Sequence, residues 1–206
     1  MGRPAAKKAK MPPPPAPLVR DLLRAARQAS LATSLPAATY QAWPYASLVL
    51  MAIAADGAPI LLLSDLSEHA KNIAADSRVS LLIDGTAGRK DPLTGPRVSL
   101  LGRAVRADDA ELKARFLARQ PRAKVYAGFG DFHIYKVQVE RAHFVAGFGR
   151  IHWIEAADII GEKYGYGGPA RAPSPAGKRR APSAGGKRKS TIPATRKAAK
   201  SGRKRR

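Results

Sequence analysis

Cysteine is absent from the 206 residues, which excludes a disulfide framework, a zinc-finger cysteine cluster, a cysteine-ligated iron–sulfur centre and a thiol nucleophile. Any chemistry must therefore come from other side chains or from a bound cofactor. Acidic residues are missing from both ends: residues 1–16 carry Arg3, Lys7, Lys8 and Lys10, and residues 170–206 carry fourteen Lys or Arg, with no acid in either stretch. Of the formal charge of +22, only +4 falls on residues 17–169, so the basicity describes the ends rather than the middle. No run approaches the ~18–20 apolar residues of a membrane span, and no apolar h-region follows the basic N-terminus. Ala6 stands where a myristoylation motif wants Ser or Thr. These features predict a cytoplasmic protein with no membrane association. Gly-x-Ser-x-Gly, His-Glu-x-x-His, a Walker loop and a Gly-x-Gly-x-x-Gly after a strand are also lacking, which leaves no ordinary hydrolytic or nucleotide-binding signature.

The composition divides the chain in three. Residues 1–16 are basic and then proline-rich through Pro12–Pro15, a segment expected to be disordered. Residues 166–206 are dominated by Gly, Pro, Ala, Ser, Lys and Arg, too few apolar side chains to offset the entropy of ordering, and read as a disordered basic tail. The clusters at 178–180, 187–189 and 203–206 resemble the tails of linker-histone-like bacterial proteins and suit sequence-independent, salt-sensitive contact with nucleic acid through residues 170–206. A merely solubilising extension accounts for them equally well. No aromatic is interleaved with the clusters, so single-strand stacking has no partner.

Residues 17–165 hold the folded domain. Leu18, Leu22, Ala25, Ala26 and Ala29 recur at helical spacing over 17–28. The period then shortens: Ser30–Ser34, the run 45–54, and 59–63 after the Asp56-Gly57 turn read as successive antiparallel strands. Residues 64–75 predict a helix with Ser67 as N-cap. Strands follow at 78–83 and 96–107, a helix over 108–118 with acid at its start and Arg near its end, and a long strand or strand pair over 132–144. About six strands with three short helices predict a mainly β fold, a small antiparallel β-barrel with helices at its openings.

The order of these elements, with Ser30-Leu31-Ala32-Thr33, the 44–49 segment PYASLV with Asp56-Gly57, LLLSDLSEHAKNI at 61–73, DPLTGPRVSLLGRA at 91–104 and VAGFGRIHWI at 145–154, resembles the split β-barrel superfamily of pyridoxamine-5′-phosphate oxidase-like flavoproteins. Within it, the chain is most similar to the HugZ-type haem-utilisation and CREG-like branch. The resemblance covers residues 18–160 and implies a homodimer with FMN, or alternatively haem, in clefts between the barrels, and an oxidoreductase rather than a vitamin B6 oxidase. The residues it implies around the cofactor are Ser47, Val49, Leu63, Ser64, Ser67, Lys71, Asn72 and Arg97, with His152 and Trp153 packing on a planar ring and His152 as a haem-iron candidate; no other metal ligand is expected and no catalytic residue is singled out. In the oxidases, basic residues hold the FMN phosphate at positions occupied here by Ala46, Met51, Glu68 and His69, which removes much of the attraction for a dianion.

Two further features concern histidine. Ala-Gly-Phe-Gly occurs twice, at 127–130 and 146–149, each passing into a His-bearing segment. A Gly-x-Gly there suits close approach of a ligand or a barrel corner with a packed Phe. A continuous strand over 132–144 would place His133, Tyr135, Val137, Val139, Arg141 and His143 on one face.

Overall fold

The computed structural model describes residues 15–166. The remaining residues of both basic ends, with the nucleic-acid contact expected of 170–206, lie outside the described residues. The elements are α1 (Pro15–Ala25), β1 (Gln28–Ser34), α2 (Ala37–Tyr40), β2 (Pro44–Ile53), β3 (Pro59–Ser64), α3 (Glu68–Ala75), β4 (Arg78–Asp84), β5 (Arg97–Arg106), α4 (Ala110–Arg119), β6 (Phe132–Val145) and β7 (Ile151–Glu155).

All pairings are antiparallel, in the order β3-β2-β1-β4-β5-β6, and β6 closes back onto β3, giving a six-stranded barrel with β7 added beyond β6. Alternation along each strand fills the barrel with Leu31, Met51, Leu61, Leu81, Leu100, Val137 and Phe144, each completely buried. The β2–β3 turn forms as Asp56-Gly57 predicts: Asp56 Oδ1 accepts the Ala58 N–H at 3.0 Å. Gly57 has φ +91°, and a Cβ there would lie 2.3 Å from the Tyr166 ring. Tyr166 is therefore core rather than tail; it is 5% exposed and donates its hydroxyl to the Ile159 carbonyl at 2.6 Å.

The barrel is closed unevenly. Strand β2 pairs with β1 along its length, from Gln28↔Leu50 to Ser34↔Pro44, but meets β3 only at residues 51–53. Its N-terminal half thus has one free edge, because β3 has turned away to pair with β6. The start of α3 sits in this split. Residues 64–67 are a turn rather than the first helical turn, and α3 begins at Glu68 because Ser67 caps it, accepting the Ala70 N–H at 3.4 Å.

Strand β6 is continuous, but its histidines do not share a face. Its register against β5 shifts between Leu101 and Gly102, so that Leu101 pairs with Arg141, Gly102 pairs with Val139, and Glu140 is the extra residue of a β-bulge. Tyr135 and Val137 point inward on one side of the bulge, Ala142 and Phe144 on the other. His133 therefore shares the inward parity and His143 lies on the outer face, where plain alternation puts the two together. Gly102 is required at the bulge: a Cβ there would stand 2.2 Å from the Gln138 carbonyl oxygen.

Candidate functional site

The split brings an imidazole and a hydroxyl together. Ser47, on the inward side of β2, and His69, in the first turn of α3, meet at 3.2 Å between Oγ and Nδ1. Burial of the ring pushes the His69 pKa below its ordinary value, so the neutral imidazole prevails at pH 7. Nε2 has no hydrogen-bond partner among the described residues.

Outside the barrel, cross-strand neighbours form one row: Leu48, Ser30, Leu82, Ser99, His143 and Trp153, on β2, β1, β4, β5, β6 and β7. At the ~4.8 Å strand spacing this row runs about 24 Å across the sheet. Leu48 is 68% exposed, Leu82 41% and Trp153 54%, and Leu50 and Leu101 lie exposed beside them on the same face. The His143 and Trp153 rings pack at 4.6 Å between centroids. The Arg141 guanidinium lies 4.6 Å over the same indole and pairs with Glu155 at 3.3 Å. The row thus offers a broad apolar surface ending in an imidazole, an indole and a cation.

A third feature lies on the other side of α3. A cleft of about 490 Å³ is lined by Asp65, Ala70, Lys71, Ile73, Ala74, Ser77, Ala104, Val105, Arg106 and Tyr135. Beside it His133 is held between Asp65 Oδ2, 3.1 Å from Nε2, and Asp108 Oδ2, 3.2 Å from Nδ1. Arg106 reaches Asp108 at 2.7 Å and Asp65 at 3.8 Å. Its hydrogen bond keeps the Asp108 carboxyl below the usual range. No group of three or more His, Cys, Asp or Glu among the described residues is arranged to hold a metal ion.

These positions sort the residues expected around a cofactor. Ser47 meets His69 at the split and Ser67 caps the helix that carries it, while the Ser64 hydroxyl is turned to Asp131. Val49 and Leu63 are buried in the barrel at 4% and 3% exposure, so their side chains face the core. Lys71 opens on the cleft. Arg97 lies at the barrel end away from α3, where its guanidinium donates to the Leu93 and Gly95 carbonyls at 3.1 and 3.3 Å. His152 and Trp153 are both exposed, but as strand neighbours they point to opposite faces of β7, His152 with Phe144 and Trp153 with His143. In the two Ala-Gly-Phe-Gly copies neither Phe is buried: Phe129, 59% exposed, meets Phe132 edge-on at 6.3 Å, and Phe148 is 83% exposed. Only the second copy uses positive φ, at Gly147 (+101°) and Gly149 (+73°), to turn β6 into β7.

Of the donors foreseen for a flavin phosphate, Lys71 opens on the cleft and the other three are already engaged. Ser64 Oγ donates to Asp131 Oδ2 at 2.5 Å, and Ser67 Oγ donates to the Ser64 carbonyl at 2.6 Å while capping α3. Asn72 is completely buried, donating to Thr33 Oγ1 at 3.0 Å, and its Oδ1 has no partner. Glu68 adds an anion at the helix start, where a phosphate would otherwise be attracted. A dianion meets few free donors here. The outer sheet face has a different chemistry, exposed leucines and an indole with an imidazole and a cation at one end.

The arrangement has relatives. A non-canonical haem oxygenase of Arabidopsis thaliana chloroplasts, HOZ, is 36% identical over 111 residues, 52% of this chain and 33% of that protein, so the chain spans about a third of the length of this curated relative. A haem-binding protein of Mycobacterium smegmatis superposes with a TM-score of 0.66 at 31% identity, covering 72% of this chain and 61% of that one. HutZ, the haem storage protein of Vibrio cholerae, shares the fold at a TM-score of 0.52 and 18% identity, covering 61% and 90% respectively. The family model described as CREG, beta-barrel matches residues 14–162. With a closed six-stranded barrel, a split guarded by α3 and that match over most of its length, the chain belongs to the CREG β-barrel family.

Proposed function

We propose that this protein binds haem on the outer face of its sheet, between two copies of the chain, and serves in haem handling. The observation that carries this is the row Leu48–Ser30–Leu82–Ser99–His143–Trp153, an exposed apolar surface with an imidazole at one end. An exposed apolar patch of this kind marks a surface that is covered in the working protein. A second copy supplies the matching face, because a two-fold axis brings the same patch onto itself. Supporting the ligand assignment are the similarity to a haem oxygenase of Arabidopsis and a haem-binding protein of Mycobacterium and the engaged Ser64, Ser67 and Asn72 donors, which disfavour FMN.

In this reading Leu82 and Trp153 provide apolar contact and exclude water from the macrocycle. His143, whose ring has no hydrogen-bond partner among the described residues, offers a nitrogen to the iron. Arg141, poised over Trp153, provides a cation for a propionate. Bound haem would supply the redox chemistry, the protein its orientation and surroundings. A second imidazole, His69, has its Nδ1 fixed by Ser47 and its Nε2 free, so it competes with His143 for the role of ligand.

The test is a haemin titration followed by absorbance. Stoichiometric binding with a Soret band that moves in His143→Ala and not in His69→Ala supports the assignment. A shift in His69→Ala alone moves the ligand to the split. Retention of FMN through desalting, with no haemin bound, overturns the reading.

A further inference from the structure

We propose that the cleft beneath α3 is a second small-molecule site, separate from the haem surface, which takes an amphiphilic monocarboxylate: an apolar body with one anionic head. Its volume of about 490 Å³ falls within the ~300–1,000 Å³ of small-molecule sites. The walls are Ala70, Ile73, Ala74, Ala104 and Val105 with the ring of Tyr135, which suits hydrocarbon rather than a sugar or a nucleotide.

The polar groups are few and decide the sign of the ligand. Tyr135 is 7% exposed and its side chain lines the cleft; its hydroxyl bonds no described residue and is not sealed from solvent. A ligand acceptor in the cleft would take the place of water on that donor. Desolvation raises the Tyr135 pKa above the usual phenol value, so the group is a donor at any working pH. Lys71, at the rim, has its nearest carboxylate, Glu68, 3.9 Å away, and its ammonium is free to turn to a ligand. The other rim charges are neutralised locally. Arg106 is tied to Asp108 and Asp65, and Asp65 is shared with His133. The groups left to turn to the cleft are thus one exposed, loosely paired cation and one neutral donor, the complement of a carboxylate. Lys71 also sits on the opposite side of α3 from the Ser47–His69 pair, so the cleft does not continue into the split.

Decanoate, decanol and decylammonium, all below micelle-forming concentration, are matched probes for equilibrium dialysis against the full chain. Decanoate is expected to bind saturably and more tightly than the other two. Lys71→Met should weaken decanoate by about tenfold, the size of one charge-assisted hydrogen bond, and leave decanol unchanged. Tyr135→Phe should weaken it less. Ala74→Trp, a change on an exposed helix position that fills the cleft, should abolish binding of decanoate with the fold intact by circular dichroism. Haemin titration of Ala74→Trp should match wild type. The proposal is overturned if decylammonium binds as well as decanoate, if Ala74→Trp leaves decanoate binding unchanged, or if Ala74→Trp also loses haemin, which would merge the cleft with the haem site. Failure of wild-type protein to bind haemin, with decanoate binding intact, would overturn the haem reading alone.

Discussion

Both halves of the barrel's outer surface carry apolar side chains, and these fare differently. Over β3, the end of β2 and the start of β6, Ala52, Ile60, Leu62 and Ile134 are covered by Phe116 of α4 and by Ala123 and Ala127 beyond it. Over β1, β4, β5, β7 and the first half of β2, Leu48, Leu50, Leu82, Leu101 and Trp153 stay exposed. Strand β2 passes from one half to the other, so Leu48 is bare while Ala52 is 2% exposed on the same strand. Among the described residues α4 lies over the first half; the second, whose apolar side chains alternate with Ser30, Ser80, Ser99 and Arg103, keeps them exposed.

That contrast can be broken from the covered side first. Phe116→Ala removes the completely buried anchor of the covered half and should cost about 3–5 kcal/mol in urea unfolding, the range for deleting a core aromatic. Gly102→Ala attacks the bulge that decides which β6 residues reach the outer face. With Cβ 2.2 Å from a backbone oxygen, the strand must shift, at a cost of about 1–3 kcal/mol, and the His143 surface should be disturbed with it.

Substitutions on the bare half sharpen the comparison. Leu48→Asp and Leu82→Asp should change the stability of the dilute monomer by no more than about 0.5 kcal/mol, as exposed positions do. Self-association in sedimentation should nevertheless be lost. If these variants unfold the monomer, the half is core and not interface.

The smallest effect concerns acid. Burial tends to raise the Asp56 carboxyl, but the Lys136 hydrogen bond at 2.7 Å, the Ala58 N–H and the Lys136 charge outweigh it and leave the pKa lowered. A lowered carboxylate contributes stability that is present above its unfolded value of 3.8 and is lost as pH falls through the lower folded value. Asp56→Asn should therefore flatten the stability profile below pH ~4 and change little at pH 7 beyond a modest constant loss. An unchanged acid limb would remove this pair from the account.

Much of the barrel was legible because period-2 alternation, the Asp56-Gly57 turn and the Ser67 cap are local signals. The bulge at Glu140 was not, since no residue in 132–144 announces it. Its marker is Gly102 on the neighbouring strand, whose necessity appears only when Gln138 lies across from it. The neighbour relation of His143 and Trp153 was within reach: a turn over 146–150 sets Val145 opposite Ile151 and hence His143 opposite Trp153. Ser47 was named from the family resemblance, and its meeting with His69 depends on how α3 seats in the split. Whether Ser64 and Asn72 had donors to spare depended on Asp131 and Thr33, which sit 67 and 39 residues away in sequence.

The most direct test of the bare sheet half as the haem surface is sedimentation velocity of the haemin-loaded protein, recorded at the Soret wavelength, for wild type and Leu82→Asp. The account predicts that wild-type Soret absorbance sediments at twice the chain mass, and that Leu82→Asp sediments as a folded monomer with little or no haem. Undiminished haem on a monomeric Leu82→Asp protein would contradict it.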